Sequence, residues 1–305
     1  MNLSAFPALR SALLAFTVVL LPLAALADHG LPADAKTVRN LAYVTDGHAR
    51  QKLDLYLPAQ PKGPLLVYIH GGGWRAGSKD GVPSLGFVAL GYSVASVEYR
   101  FSQDAIFPAQ IEDCKAAIRW LRTHAAEYGY DPKRIAAFGD SAGGHLTALL
   151  AATGNVRDFD KGENLDQSSA IQCGIDWYGP ADFPGFIPPS GDPMVQREGS
   201  DSVLVQLFGG PLAEKMELAR RASPVTWVTK ETAPLFIEQG TKDPLVPAAQ
   251  STGLADKLKA AGVDATLEII EGAGHGGPEF TTPDRVHRMV EFLNRHLGLG
   301  ANGKS

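Results

Sequence analysis

The chain has 305 residues, of which 45% are hydrophobic and 20% charged, a balance typical of globular proteins rather than of disordered or fibrous ones. Its formal net charge of −5 and its pI near 5.9, without a basic cluster, argue against nucleic acid as a partner. This length allows one or two domains, and α/β proteins of this size commonly form one.

Residues 1–27 are predicted to be a signal peptide and are set aside from the fold. Arg10 is the only early positive charge, an apolar run extends from Ala12 to Leu26, and Ala25-Leu26-Ala27 fits an A-x-A cleavage site. An uncleaved membrane anchor is the alternative, but Pro22 interrupts the run and the run is short for a span. We expect cleavage after Ala27, export to the periplasm or the extracellular space, and no stable membrane insertion of the mature protein.

The mature chain is predicted to begin with an antiparallel hairpin. Asp28 to Asn40 is expected to be a loose lead-in, followed by short strands over Leu41 to Val44 and Lys52 to Leu57. In the second strand, leucines alternate with Asp54 and Tyr56, so one face is half exposed. This pattern is typical of the edge of a sheet.

Beyond the hairpin, short apolar runs alternate with helical patterns. The predicted strands cover residues 65–69, 93–97, 135–138, 171–177, 234–238 and 265–270, and the predicted helices cover 108–128, 146–152, 212–221, 248–261 and 278–297. Such alternation predicts an α/β fold, with a mostly parallel sheet and helices on both faces, in one domain over residues 28–305. Residues 181–210, rich in Pro, Gly and Ser, are expected to form a cap or wall loop, because long connections of this kind are often functional.

The stretch from Ile135 to Ala152 carries the first chemical motif. Gly139-Asp140-Ser141-Ala142-Gly143 matches G-x-S-x-G and lies between a predicted strand and a predicted helix. In this context the motif forms a nucleophile elbow, which lifts the Ser141 hydroxyl clear of the sheet. The alternative is a chance match, since the five-residue pattern alone is common.

A run of three glycines follows the strand at 65–69. His70-Gly71-Gly72-Gly73-Trp74 lets the backbone approach a ligand closely and leaves N–H groups facing outward. A phosphate loop is disfavoured because no G-K-[ST] follows, and a merely flexible loop is the other alternative. We predict an oxyanion hole in which Gly71 and Gly72 donate together with Ala142.

A serine hydroxyl needs a base to become a good nucleophile. His275 is the predicted base, because it lies between two glycines just after the last predicted strand. Asp243, after the preceding strand, is the predicted orienting acid. The order Ser141, Asp243, His275 is that of the α/β-hydrolases. The competing acids are Asp176, Asp182, Asp264 and Glu271.

The two cysteines, Cys114 and Cys173, lie among apolar neighbours on a predicted helix and a predicted strand. Export would permit a disulfide between them. Two buried free thiols are the favoured alternative.

The four motifs around Gly72, Ser141, Asp243 and His275 resemble those of the α/β-hydrolase carboxylesterases. The bacterial feruloyl and acetyl esterases that act on plant polysaccharide decorations are the most similar group, and Trp177-Tyr178-Gly179-Pro180 is similar to theirs as well. The resemblance covers roughly residues 40–297. Hormone-sensitive-lipase-like esterases share two of the motifs, but they usually carry a different string after Tyr99-Arg100 and a long N-terminal helical cap. These departures favour an open site partly walled by residues 181–210.

The resemblance implies a secreted serine esterase that hydrolyses feruloyl, acetyl or other aryl or short-chain esters, free or linked to polysaccharide. It implies no metal and no organic cofactor. Trp74, Trp177, Tyr178 and Phe186 could line the site and stack on an aryl or sugar group, or could be wall and core aromatics. A polyester hydrolase, a serine peptidase or amidase, and a binding protein that keeps only the fold are the alternatives.

Overall fold

The computed structural model describes residues 30–299, so the predicted signal peptide, residues 1–27, lies outside the described range. The strands within that range are β1 (Lys36–Ala42), β2 (Lys52–Leu57), β3 (Leu65–Ile69), β4 (Ser93–Val97), β5 (Ile135–Asp140), β6 (Cys173–Trp177), β7 (Leu235–Gly240) and β8 (Ala265–Ile270). They form one sheet in the order β1-β2-β4-β3-β5-β6-β7-β8. β2 pairs antiparallel with β1 and β4, and all other pairs are parallel. The predicted α/β fold with an antiparallel N-terminal hairpin is confirmed.

The α-helices of the described range are α1 (Ala109–Thr123), α2 (Ala125–Tyr128), α3 (Ala142–Ala152), α4 (Val203–Phe208), α5 (Met216–Ala222), α6 (Pro224–Trp227), α7 (Ala249–Ala260) and α8 (Pro283–His296). Short 3₁₀ turns cover Leu85–Leu90, Arg157–Phe159, Pro193–Val195, Leu212–Glu214 and Pro278–Thr281. Among these helices, none has both the length and the apolar character that a membrane crossing requires.

The sheet separates two apolar clusters, which explains why the central strands are continuously apolar. Val67 and Ile69 of β3 face the cluster built with α1, α3 and α7, whereas Leu66 and Tyr68 face the cluster built with α8. Cys114 belongs to the first cluster and Cys173 to the second. Both are buried free thiols, because the sheet lies between them.

Some predicted boundaries were wrong. β1 begins at Lys36 and ends at Ala42, since an exposed edge strand can be polar and therefore lacks the apolar signal. Its register with β2 shifts between Val38 and Leu41. The last helix begins at Pro283, and the residues that precede it form a 3₁₀ turn.

The segment 181–210 is more ordered than a loop. It contains α4, whose first turn is capped by Ser202: the Ser202 Oγ accepts hydrogen bonds from the N–H groups of Leu204 and Val205. Gly209 ends the helix in the left-handed conformation. A serine cap, an apolar run and a glycine are a helix signal, so this helix could have been predicted.

Candidate active site

Ser141 lies in a sharp turn between β5 and α3, with φ 53° and ψ −116°. This region is strained for a residue other than glycine, and such strain is common at functional sites. The Ser141 N–H donates to the Trp177 carbonyl at 2.8 Å, which holds the turn against β6. A Cβ on Gly143 would lie 1.9 Å from the Ile69 carbonyl oxygen, and one on Gly139 would lie 2.3 Å from that of Gly143. The glycines of the motif are therefore required by close backbone contacts.

The structure brings Ser141, Asp243 and His275 together at the carboxyl ends of β5, β7 and β8. The His275 Nε2 lies 2.8 Å from the Ser141 Oγ, and the His275 Nδ1 lies 2.7 Å from the Asp243 Oδ2. A neutral imidazole that donates from Nδ1 to the carboxylate leaves Nε2 free to accept the serine proton. The three side chains thus have the geometry of a nucleophile, a base and an orienting acid.

The Asp243 carboxylate is buried and fully hydrogen-bonded. Besides His275, its Oδ2 accepts from the Gln239 Nε2 at 3.0 Å, and its Oδ1 accepts from the Leu245 and Val246 N–H groups at 2.8 and 2.9 Å. Burial by itself would raise the pKa of Asp243, but the hydrogen bond and charge of His275 and the two N–H groups lower it below its usual value. Sequence reasoning missed Gln239, because a glutamine four residues before an aspartate carries no recognisable signal.

The competing acids make other contacts. The Asp176 Oδ1 accepts from the Gly179 N–H at 2.9 Å, and Asp182 accepts from the Gly185 N–H at 3.1 Å. Asp264 bonds Arg295 and His296, and Glu271 is exposed to solvent. Within the described residues, Asp243 is the carboxylate that bonds His275.

The glycine loop turns through three consecutive residues in the left-handed region: Gly72, Gly73 and Trp74 have φ values of 104°, 59° and 56°. Gly72 and Gly73 line the cavity beside Ser141. Ala142 opens α3, so its N–H lacks a partner within the helix.

The predicted donor Gly71 lies elsewhere. Its backbone hydrogen-bonds the Asp140 carboxylate, and its carbonyl lies 2.7 Å from the His70 Nδ1. The Gly71 N–H is therefore already bonded to Asp140 and does not face the cavity, whereas Gly73 does. We replace Gly71 by Gly73 in the candidate anion site. The sequence could not show which two of three glycines face the cavity.

The cavity next to Ser141 has a volume of about 300 Å³. Its walls come from the glycine loop, from the segment 181–210 and from the loop after Asp243. The lining residues are Gly72, Gly73, Trp74, Arg75, Ala76, Ser141, Pro180, Phe186, Met194, Val195, Val203, Leu204, Leu245 and Val246. The surface is therefore largely apolar, apart from the backbone of the glycine loop, the serine hydroxyl and Arg75.

Two of the four candidate substrate-binding aromatics, Trp74 and Phe186, line this cavity. For Trp177 the structure shows the other alternative, a core aromatic: it packs against Phe138 and donates from Nε1 to the Glu238 Oε2 at 2.5 Å. Neighbouring side chains on a strand point to opposite faces of the sheet. Asp176 points toward α3. Trp177, the next residue, therefore points to the other face, into the core beneath α8. Tyr178 is also buried and packs on the His275 ring, with the ring centroids 4.6 Å apart.

Comparisons with known proteins agree with this geometry. A family model described as BD-FAE matches residues 53–258. The probable carboxylic ester hydrolase LipM of Mycobacterium tuberculosis is 35% identical over 203 residues, which cover 64% of this chain and 45% of LipM. The chain thus spans about half the length of this curated relative.

Solved structures are similar over most of the chain. A truncated form of a carbohydrate esterase from gut microbiota has a TM-score of 0.78 and 29% identity, and the match covers 86% of this chain and 96% of that one. Esterase 2 of Thermogutta terrifontis, phosphorylated by paraoxon, has a TM-score of 0.67 and 26% identity, covering 90% and 98%. With the family model matching well over half of its residues, the chain has the α/β-hydrolase fold and belongs to the BD-FAE family.

Proposed function

We propose that the chain is a serine hydrolase of carboxylic esters that acts through an acyl-enzyme. The observation that carries this proposal is the continuous hydrogen-bonded path from Asp243 through His275 to Ser141, which opens on an apolar cavity. The esterase names of the relatives support it. So does the T. terrifontis esterase phosphorylated by paraoxon, since such a product is typical of an activated nucleophile.

In the proposed mechanism, the Ser141 Oγ attacks the ester carbonyl while the His275 Nε2 takes the hydroxyl proton. Asp243 holds the imidazole orientation and stabilises the imidazolium. The N–H groups of Gly72, Gly73 and Ala142 stabilise the tetrahedral oxyanion. His275 then protonates the leaving alcohol, and a water molecule, deprotonated by His275, releases the acid and regenerates the serine.

The cavity supports an ester whose acyl group is apolar. A volume of about 300 Å³ with aromatic side chains from Trp74 and Phe186 suits a short aliphatic or a single-ring aryl acid, such as a feruloyl group. The carbohydrate esterase among the similar structures favours an alcohol that belongs to a sugar. We therefore propose feruloyl, acetyl and other aryl or short-chain esters, free or linked to polysaccharide, as the substrates.

The experiment compares the wild type with Ser141→Ala on p-nitrophenyl acetate, p-nitrophenyl butyrate, methyl ferulate and acetylated xylan. We expect Ser141→Ala to lower kcat by about 10⁵-fold or more. A fluorophosphonate should add one label to the wild type and none to Ser141→Ala. Near-wild-type turnover by Ser141→Ala, or faster cleavage of a matched amide than of its ester, would refute the proposal.

Ser84→Ala is the matched control. Ser84 is buried, and its hydroxyl has no hydrogen-bond partner within the described residues. Its loss should leave turnover and labelling unchanged.

We also propose that the protein is exported after cleavage behind Ala27. The positive Arg10, the apolar run and the A-x-A sequence support this. A mass spectrum of the exported protein should begin at Asp28, and the presence of Met1 would contradict the proposal.

A further inference from the structure

A second histidine lies one helical turn beyond Ser141, and both of its ring nitrogens are bonded. His145 is fully buried in α3. Its Nδ1 accepts a hydrogen bond from the Trp74 Nε1 at 3.1 Å, and its Nε2 lies 2.7 Å from the Ala222 carbonyl oxygen. The mechanism proposed above does not use this side chain.

The two partners allow a single protonation state of the ring. An indole nitrogen can only donate, so the His145 Nδ1 must carry a lone pair. A carbonyl oxygen can only accept, so the Nε2 must carry the proton. An imidazolium would place two N–H groups against each other at Trp74, and burial lowers the pKa of His145 to about 4, so the ring stays neutral.

Trp74 links this histidine to the candidate oxyanion hole. It follows Gly72 and Gly73 directly and is itself in the left-handed region, which is unfavourable for a bulky side chain. Such a conformation persists only where surrounding contacts hold it. The contacts here are the His145 hydrogen bond, the packing of Phe183 against both rings at centroid distances of 5.8 and 5.0 Å, and a bond from the Ser102 N–H to the Trp74 carbonyl at 2.8 Å.

The His145 hydrogen bonds also join parts of the chain that are far apart in sequence. Trp74 lies in the loop after β3, His145 in the nucleophile helix, and Ala222 at the end of α5. The distance between the loop N–H groups and the Ser141 Oγ therefore depends on a ring that is anchored at both nitrogens.

We propose that His145 is a positioning residue, which acts through Trp74 to hold the Gly72 and Gly73 N–H groups where the oxyanion forms. This inference rests on the proposed esterase function. It assigns no proton transfer to His145, and the buried ring touches no substrate.

Two substitutions separate the hydrogen bonds. In His145→Asn, the amide oxygen takes the place of Nδ1 and can accept from Trp74, but the side chain is too short for Ala222. In His145→Gln, the longer amide can reach Ala222 but leaves Trp74 without an acceptor. Trp74→Phe removes the donor and keeps most of the ring.

We expect His145→Gln to lower kcat about tenfold with little change in KM, a fraction of the loss typical for a whole oxyanion donor. Trp74→Phe should lower kcat by a similar factor. His145→Asn should stay within about threefold of the wild type. Because His145 acts through Trp74, the double variant Trp74→Phe/His145→Gln should be no slower than either single variant by more than about twofold. The inference would be overturned if the kcat losses of the two single variants multiplied in the double variant, or if His145→Asn and His145→Gln lost kcat equally. A lower melting temperature without a loss of kcat would also overturn it.

The matched control is His124→Gln at the other tryptophan–histidine pair, where His124 stacks on Trp120 at 4.0 Å in a part of the chain remote from Ser141. It should leave kcat unchanged, and a tenfold loss there would count against the inference.

¹⁵N NMR of the wild-type imidazoles supplies a readout besides activity. We expect His145 to remain the neutral Nε2–H tautomer between about pH 5 and 9, a range in which a histidine with the ordinary pKa of roughly 6.5 would titrate. A protonated Nδ1, or titration near the ordinary histidine pKa, would overturn the inference. That result would leave the proposed function standing, since Ser141→Ala tests it separately.

Discussion

The rim of the sheet and the wall of the cavity are built differently. At the rim, Ser141, Asp243 and His275 lie in the connections that follow parallel strands, and hydrogen bonds join them into one path. The wall, residues 181–210, contributes apolar side chains from a 3₁₀ turn and from α4. The sheet thus sets the reacting atoms, whereas an inserted segment sets the space for the substrate.

Side-chain hydrogen bonds tie the wall to the glycine loop and to the loop after Asp243. The Arg75 Nη1 donates to the Asp201 carbonyl at 3.0 Å and to the Gln206 Oε1 at 3.3 Å. The Ser190 Oγ donates to the Pro244 carbonyl at 2.9 Å. Because none of these hydrogen bonds involves Ser141, Asp243 or His275, we expect changes in the wall to alter substrate preference while the reaction itself persists.

The largest effect short of removing the nucleophile should come from the rim acid. Asp243→Asn should lower kcat by about 10⁴-fold, because an amide cannot stabilise the imidazolium and can favour the wrong tautomer. Steady-state kinetics on p-nitrophenyl acetate measure this.

Asp176→Asn is the matched control, since Asp176 lies in the neighbouring strand but bonds the Gly179 N–H. It should stay within about threefold of the wild type. An equal loss in both variants would remove the distinction between rim and surroundings.

The next effect concerns the glycine loop, where rim and wall meet. A Cβ at Gly72 would lie 2.3 Å from the Ala76 carbonyl oxygen, and φ is 104° there. Gly72→Ala must therefore shift the loop, and we expect kcat to fall about 10²-fold, as for the loss of an oxyanion donor.

Gly81→Ala serves as the control, because a Cβ there would meet nothing within 4 Å. Comparable loss in the two variants would indicate a general effect of alanine rather than one at the anion site.

A change in the wall should affect only the fit of the substrate. Leu204→Trp fills part of the cavity, so kcat/KM for methyl ferulate should fall at least about tenfold relative to p-nitrophenyl acetate, in line with the modest value of apolar fit. The same substitution at the exposed Leu165, remote from the cavity lining, should leave the ratio unchanged. Equal loss on both esters would place the wall in the reaction rather than in specificity.

The smallest effect concerns stability at Asp176. Burial raises the pKa of this carboxyl to about 7, so the folded protein holds a proton that the unfolded chain releases near pH 4. The stability from that proton is present at low pH and is lost as the pH rises through 7. The asparagine of Asp176→Asn does not titrate, so this variant should not lose that stability. Relative to the wild type, its free energy of unfolding should rise by about 1 kcal/mol or more between pH 4 and pH 7.

Denaturant titrations across this range measure the difference. A gap between the two proteins that stays constant with pH would show that Asp176 is ionised in the folded state.

Local patterns were sufficient to predict the rim. Alternating apolar runs and helical spacings predicted the parallel sheet, and strand-end motifs predicted Ser141, Asp243 and His275, because the carboxyl ends of parallel strands meet at one edge. The side-chain partners of these residues were not predicted. Gln239 bonds Asp243, and His145 bonds Trp74, through contacts that no spacing rule describes.

The sequence by itself determined the order of the elements, the elbow around Ser141 and the residues that can do chemistry, since these depend on neighbours within a few positions. Only the tertiary structure decided that Gly73 and not Gly71 faces the cavity, and that Trp177 lies in the core. Each of these outcomes depends on which face of a strand or loop meets a segment more than twenty residues away. Packing between distant parts of the chain settles that choice, and it is not encoded in any local pattern.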